Sequence, residues 1–131
     1  MATGSRSILI CDDEAAIRHI VAAKLRAAGY TVYEAPDGQE GQMAAVELLP
    51  DLIISDLQMP EIDGLELCTR LREHEATSAI PAILLTARGH LMAEGALEPT
   101  NIRAVVSKPF SSKDLLAEVN RAIGGPQREA A

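Results

Sequence analysis

Five polar side chains each come at the end of a short apolar run, where a strand of a parallel sheet would end. They are Asp12, Asp13, Asp56, Thr86 and Lys108. Three carboxylates held close together repel one another and raise one another's pKa, and a divalent cation removes that penalty. All-oxygen ligands suit Mg²⁺, or a similar divalent cation such as Mn²⁺. A lysine ammonium opposite the cation would complete a site able to accept a phosphoryl group.

Asp56 is the candidate nucleophile of this site, because carboxylates form aspartyl phosphates in known chemistry. Thr86 can hydrogen-bond a phosphoryl oxygen, and the small Ala87 after it leaves room for the incoming group. Each residue alone has an ordinary explanation: Asp12 or Asp13 can favour a helix start, and a lone lysine is usually solvated. Their joint occurrence at four successive strand ends favours a common site.

Five apolar segments indicate the strands that would position these residues, and helical patterns separate them. The predicted strands cover residues 7–11, 30–35, 52–56, 80–86 and 104–107. Regular alternation of strands and helices predicts an α/β fold, a doubly wound parallel sheet with helices on both faces. The second segment alternates in polarity like an edge strand, so the expected strand order is 2-1-3-4-5.

Helix boundaries are indicated by capping residues and by residues that stop helices. The first helix follows Asp13 or Glu14 as N-cap, places Ile20 on its inner face and stops at Gly29. Four further helices are predicted. One follows Asp37 and extends to about Leu48, one runs from about Leu65 to His74, one spans 90–98 and one follows Ser111 or Ser112. Gly95 and Pro99 make the helix over 90–98 the least regular of these.

Length and composition bound the class of protein. The 131 residues predict a single domain, 1–131, with a core over about 7–123 and flexible termini at 1–6 and 124–131. The net charge of −7 argues against direct nucleic-acid binding, and so does the presence of only two tyrosines and one phenylalanine.

Cysteine usage and hydropathy bear on location. Cys11 and Cys68 match no zinc or redox spacing and read as buried thiols in a reducing compartment. No apolar run approaches the roughly 20 residues of a membrane span, and the N-terminus lacks the apolar region of a signal peptide. The expected location is the cytoplasm, with no membrane association.

Four short motifs together resemble the receiver domain of two-component response regulators. They are Cys11-Asp12-Asp13-Glu14, Asp56-Leu57-Gln58-Met59-Pro60 with Asp63-Gly64, Thr86-Ala87, and Lys108-Pro109-Phe110. The resemblance implies a flavodoxin-like fold and phosphorylation of Asp56 by a histidine kinase or a histidine phosphotransfer protein. It implies Mg²⁺ held by Asp13, Asp56 and the backbone carbonyl of Gln58, with Asp12 acting largely through water.

The same resemblance implies roles for the remaining motif residues. Lys108 would pair with the phosphoryl group, Thr86 would move to bond it, and the Lys108–Pro109 peptide would be cis. Two positions depart from the family pattern. Val105 replaces the usual aromatic three residues before the lysine, and Asn101-Ile102 replace a usual Gly-Ala pair. The usual switch, in which that aromatic ring turns inward, cannot operate as such.

Three functions remain open at this stage. The leading one is a phosphoacceptor switch in a phosphorelay, acting on a downstream protein and catalysing only its own phosphorylation and dephosphorylation. A Mg²⁺-dependent phosphohydrolase is disfavoured, since Gln58 stands where such a site needs a second acid. A phosphorylation-independent docking module is the third. The chain is either a stand-alone regulator or a receiver cut from a longer protein.

Overall fold

Five parallel strands form one sheet in the order β2-β1-β3-β4-β5. The computed structural model describes residues 4–87 and 101–127. The strands are β1 (Ser7–Cys11), β2 (Thr31–Ala35), β3 (Leu52–Asp56), β4 (Ala82–Thr86) and β5 (Ile102–Ser107). The predicted α/β class, strand order and flavodoxin-like topology are confirmed.

The apolar patterns explain where each strand lies. Every residue of β3 and of β4 is buried, as expected for central strands covered on both faces. Strand β2 instead alternates between exposed and buried residues, and it lies at an edge of the sheet. The two apolar faces of the sheet therefore need two separate layers of helices.

Four helices of the described chain provide these layers. They are α1 (Ala15–Ala27), α2 (Gly38–Leu48), α3 (Gly64–Glu73) and α4 (Ser112–Ile123). Residues of α1 and α4 pack into one apolar cluster with one face of the sheet, and residues of α2 and α3 pack into the other. The helix predicted over 90–98 lies outside the described residues.

Side-chain caps begin three of these helices. The side chains of Asp37, Asp63 and Ser111 each accept a hydrogen bond from the backbone N–H three residues further on. Helix α1 has Glu14 as its N-cap, one of the two predicted residues, but the Glu14 side chain makes no cap hydrogen bond. Oδ1 of Asp12 accepts from the Glu14 N–H at 2.9 Å instead. The side chain of Asp12 thus provides the hydrogen bond at the start of α1.

Ile20 was predicted to face the core, and this prediction is wrong. The residue is 59% exposed, whereas its neighbour Val21 is buried. Ile20 lines an open groove of about 450 Å³ that also includes Pro109 and Phe110. The periodicity of α1 could not distinguish the core from this groove, since both border the same apolar stripe.

The two ends of the described chain contact each other, while the flexibility expected of the termini stays a prediction. Ser5 pairs with Gln127 in an antiparallel bridge, and the Arg6 N–H donates to the carbonyl of Pro126 at 2.7 Å. The Arg6 guanidinium donates to the carbonyls of Gly125 and Gln127 at 2.8 and 2.9 Å. These bonds join two short polar segments that have no pattern of their own in the sequence.

Two further expectations concern cysteines and membranes. Cys11 and Cys68 are free and buried. Burial raises the pKa of both thiols, that of Cys68 to about 12, so both stay protonated and unreactive. Among the helices that the structure describes, none has the length and apolar character needed to cross a membrane.

Candidate functional site

The carboxyl ends of four strands bring the predicted site residues together. Single ligand oxygens of Asp12, Asp13 and Asp56 all lie within 4.8 Å of one another. The Lys108 ammonium lies 3.2 Å from Oδ1 of Asp56 and 3.8 Å from Oδ2 of Asp12. Parallel strands end at the same edge, so residues far apart in sequence become neighbours.

Burial distinguishes the three aspartates. Asp12 is 1% exposed and Asp56 is 5% exposed, whereas Asp13 is exposed. Burial raises the pKa of both Asp12 and Asp56, and the charges of neighbouring carboxylates add to it. The positive charge of Lys108 opposes the rise without cancelling it. The site is therefore short of positive charge.

Lys108 sits among acids. Burial by itself would lower the pKa of its ammonium group. The hydrogen bond and charge of Asp56, together with the charges of Asp12 and Glu14, outweigh that effect and raise the pKa. Glu14 Oε1 lies 3.6 Å from the ammonium nitrogen. Sequence reasoning assigned Glu14 only to the start of a helix, so this pairing was missed.

Strands β4 and β5 hold Thr86 and Lys108 at the same rim. Thr86 is buried and pairs with Ser107 in the sheet. The Lys108 N–H donates to the Thr86 carbonyl at 2.8 Å. The Lys108–Pro109 peptide is cis, as the resemblance implied. Val105 is partly buried and packs against the cluster on the α2 and α3 side of the sheet.

The loop between β3 and α3 closes the site on its other side. Gln58 is exposed and borders an open pocket of about 670 Å³ that Asp13 also lines. The Gly64 N–H donates to the carbonyl of Leu57 at 2.8 Å. A Cβ on Gly64 would lie 2.4 Å from the carbonyl oxygen of Asp56, so only glycine fits there.

The donor set fits a hard divalent cation. Oδ2 of Asp12 is buried and has no hydrogen-bond partner in the described part of the chain. Buried polar atoms are nearly always satisfied, and the Lys108 ammonium, 3.8 Å from this oxygen, is too far away to donate a hydrogen bond to it. A bound cation or ordered water would therefore satisfy Oδ2. Carboxylate and carbonyl oxygens are the ligands Mg²⁺ prefers, usually together with retained waters.

Arg18 is a second residue of the site region that sequence reasoning missed. Its guanidinium donates to the main-chain carbonyl of Asp12 at 2.7 Å and to Glu34 Oε1 at 3.1 Å. An arginine three or four residues into a helix is a common surface residue. No sequence signal distinguishes it until β2 places Glu34 beside α1.

The family profile described as response regulator receiver domain matches residues 8–120. The sheet order, the acidic cluster and the lysine opposite it agree with this match. The chain therefore belongs to the response regulator receiver domain family, whose members are the phosphoacceptor switches of two-component systems.

Curated relatives are longer regulators. The DNA-binding dual master transcriptional regulator RpaA of Synechocystis is 43% identical over 112 residues, covering 86% of this chain and 46% of the relative. The phosphate regulon transcriptional regulatory protein PhoB of Pseudomonas aeruginosa is 38% identical over 120 residues, covering 90% of this chain and 52% of the relative. The chain thus spans about half the length of the curated relatives it matches.

Solved structures agree with this fold along nearly their whole length. The chemotaxis protein CheY4 of Vibrio cholerae superposes with a TM-score of 0.83 at 30% identity, covering 89% of this chain and 98% of that one. The receiver domain of a sensor histidine kinase of Pseudomonas aeruginosa, solved with magnesium in its active-site cleft, has a TM-score of 0.83 at 26% identity. It covers 93% of this chain and 100% of that domain.

Proposed function

We propose that Asp56 is the phosphoacceptor of this receiver and that the domain, residues 1–131 with its core over 7–123, responds as one unit. The observation that carries the proposal is the position of Lys108. Its ammonium lies 3.2 Å from Oδ1 of Asp56, and carboxylate oxygens of Asp12 and Asp13 lie within 4.8 Å of the Asp56 carboxylate. An ordinary surface aspartate has no such neighbours.

The reaction is the transfer of a phosphoryl group from a phosphohistidine to Asp56. A carboxylate oxygen of Asp56 attacks phosphorus, the new P–O bond forms and the P–N bond to the donor imidazole breaks. Charge builds up on the phosphoryl oxygens, where the Lys108 ammonium and the Thr86 hydroxyl would stabilise it. Burial raises the pKa of Asp56, whereas the hydrogen bond and charge of Lys108 oppose this rise and favour the ionised carboxylate.

Asp13, Asp56 and the Gln58 carbonyl are the proposed direct ligands of Mg²⁺, with Asp12 acting through water. When bound, Mg²⁺ supplies the positive charge that the acidic cluster lacks and that the transferring group needs. Mn²⁺ has the same ligand preferences and should substitute. The orphaned Oδ2 of Asp12 is the atom most in need of such a neighbour.

Phosphorylation would act as a switch through charge. A phosphorylated side chain carries roughly −1.5 to −2 charges, which would bias the position of Thr86 and of the loop at Lys108. Val105 occupies the β5 position at which the family usually has an aromatic side chain that moves together with the threonine. We therefore propose that the conformational change is transmitted to a protein partner by a route that uses no inward-turning ring on β5. We also propose that the domain catalyses only its own phosphorylation and dephosphorylation.

The proposed partners are a histidine kinase or a phosphotransfer protein upstream and another protein or protein segment downstream. Relatives such as RpaA are described as DNA-binding, but this chain matches only about half of them. With a net charge of −7, the receiver itself is poorly suited to contact DNA. Its two buried free thiols fit a cytoplasmic location.

Incubation with Mg²⁺ and a small phosphodonor tests the proposal. Intact mass should show one added phosphoryl group, and hydroxylamine should remove it, because it cleaves acyl phosphates. The Asp56→Asn variant should show no adduct, since an amide oxygen is a poor nucleophile.

Asp63→Asn is the matched control, because Asp63 lies in the same loop as a helix cap and should still allow phosphorylation. An adduct that survives unchanged in Asp56→Asn would overturn the proposal. Turnover of an aryl phosphate that depends on Asp56 would support the phosphohydrolase instead. Partner binding that is equal with and without beryllofluoride would support the docking module.

A further inference from the structure

We infer that Arg18 is a positioning residue for the metal site, acting through the peptide that joins Asp12 to Asp13. This inference rests on the proposed Mg²⁺ site. The Arg18 side chain is only 12% exposed. One of its nitrogens, Nη1, donates to the Asp12 carbonyl at 2.7 Å, and Nε donates to Glu34 at 3.1 Å.

The bonded carbonyl belongs to a peptide with metal-site residues on both sides. The Asp12 N–H donates to the Ala35 carbonyl at 3.1 Å, and Oδ1 of Asp12 accepts from the Glu14 N–H at 2.9 Å. These two bonds hold Asp12 but leave the peptide plane after it free to tilt. The Arg18 bond to the carbonyl fixes that plane, and with it the direction in which the exposed Asp13 carboxylate projects.

Glu34 holds Arg18 in this orientation. It lies on β2 and accepts bonds from three side chains of α1, from Arg18, from His19 at 2.6 Å and from Arg26 at 3.4 Å. Partial burial would raise the pKa of Glu34, but the bonds from His19 and Arg18 outweigh it and keep the pKa low. Glu34 is therefore a stable anion against which the guanidinium is held.

The planar fork of arginine is what this geometry requires. A guanidinium can donate to a carboxylate and a carbonyl at once in fixed directions, whereas a lysine ammonium is a flexible point charge. Arg18 thus connects the edge strand to the peptide of the site through one rigid group. Groups that orient metal ligands from behind typically change metal affinity or activity by 10–100-fold when removed.

Arg26 provides a matched comparison within the same helix. It also binds Glu34, and its Nη2 donates to a main-chain carbonyl at 2.8 Å. That carbonyl belongs to Val32, the second residue of β2, away from the carboxyl ends of the strands. Removing Arg26 breaks the same kinds of bond, so a purely structural role predicts similar effects from both arginines.

The test is a Mg²⁺ titration followed by the amide resonances of residues 12–14 in nuclear magnetic resonance spectra. We expect the dissociation constant for Mg²⁺ to rise about ten-fold in Arg18→Ala and several-fold in Arg18→Lys, because charge alone does not restore the fork. In Arg26→Ala it should stay within about two-fold of the original. The melting temperature without Mg²⁺ should fall in both alanine variants, and further in Arg18→Ala, because the Arg18 side chain is 12% exposed and that of Arg26 is 49% exposed.

Two results would overturn the inference: an unchanged Mg²⁺ affinity in Arg18→Ala, or an equal loss in Arg26→Ala. If Arg18→Ala does not fold, the Mg²⁺ affinity of Arg18→Lys is the deciding measurement. An unchanged affinity in Arg18→Lys would contradict the proposed role of the guanidinium. Failure of the inference is distinguishable from failure of the proposed function. In the first case the unaltered protein still binds Mg²⁺ and is phosphorylated on Asp56, and in the second it does neither.

Discussion

At the scale of single residues, Asp12 shows how the fold stores unfavourable charge at a functional site. Its carboxylate is buried, and Oδ2 has no hydrogen-bond partner in the described chain. Burial and the neighbouring acids Glu14 and Asp13 raise its pKa above the ordinary value, although the Glu14 N–H and Lys108 oppose the rise. The metal-free protein thus trades stability for a site that is ready for a cation.

The first residue-scale prediction is that Asp12→Asn raises the melting temperature of the metal-free protein by about 2–5 °C at pH 7. The asparagine Oδ1 can still accept from the Glu14 N–H, while the buried charge disappears. Because the folded-state pKa of Asp12 is raised, the charge costs stability at neutral pH. That cost vanishes below the ordinary aspartate pKa of about 3.9. The gain should therefore shrink between pH 7 and pH 4.

Thermal melting followed by circular dichroism measures this effect. Asp114→Asn is the matched control, since it removes the same charge from an exposed position in the first turn of α4. It should give no comparable gain. A lower melting temperature for Asp12→Asn at pH 7 would contradict the account of buried charge. Adding Mg²⁺ should stabilise the original protein more than the variant, because ligand binding to the native state adds stability.

At the scale of elements, the approach of α3 to the end of β3 sets the shape of the site. The first residue of α3, Gly64, touches the backbone of Asp56 and Leu57. Asp63 caps the same helix through a 2.7 Å bond to the Glu66 N–H. The loop that carries Gln58 is thereby closed over the strand end, so helix packing and ligand geometry depend on one contact.

Gly64→Ala should lower the free energy of unfolding by about 1–3 kcal/mol, because its Cβ would meet the Asp56 carbonyl at 2.4 Å and the backbone must shift. The shift moves the end of β3 that carries Asp56, the proposed phosphoacceptor, so phosphorylation by a small donor should also slow. Urea unfolding and intact-mass time courses measure the two effects. Gly4→Ala is the control, as no heavy atom lies within 4 Å of its added Cβ. Equal stability of the two variants would contradict the close packing.

At the scale of the whole molecule, the two ends of the domain are fastened to each other beside the sheet. Arg6 connects the lead into β1 with the carbonyls of Gly125 and Gln127 after α4. Pro126 also packs near Gly29, whose added Cβ would lie 3.2 Å from it. The segment after α4 up to Gln127 is therefore held against the lead into β1.

Arg6→Ala should cost about 1 kcal/mol of stability, since two hydrogen bonds from a charged group are lost and the carbonyls return to water. Amide hydrogen exchange of Gln127 should speed up, because its pairing with Ser5 depends on the same contact. Arg72→Ala is the control, as it removes a positive charge from an exposed position of α3. Unchanged exchange at Gln127 would show that the guanidinium does not hold the two ends together.

The sequence by itself determined the strand order of the sheet and which polar residues come together at its carboxyl edge. Short continuous apolar runs that alternate with helical patterns favour buried parallel strands, and such strands end at one edge, so the polar residues that follow them meet there. Tertiary structure alone decided how those residues are held. The exposure of Ile20, the pairing of Glu14 with Lys108 and the Arg18 bond to Asp12 depend on which elements pack side by side. Local patterns carry no information about such contacts, because they join residues through space rather than along the chain.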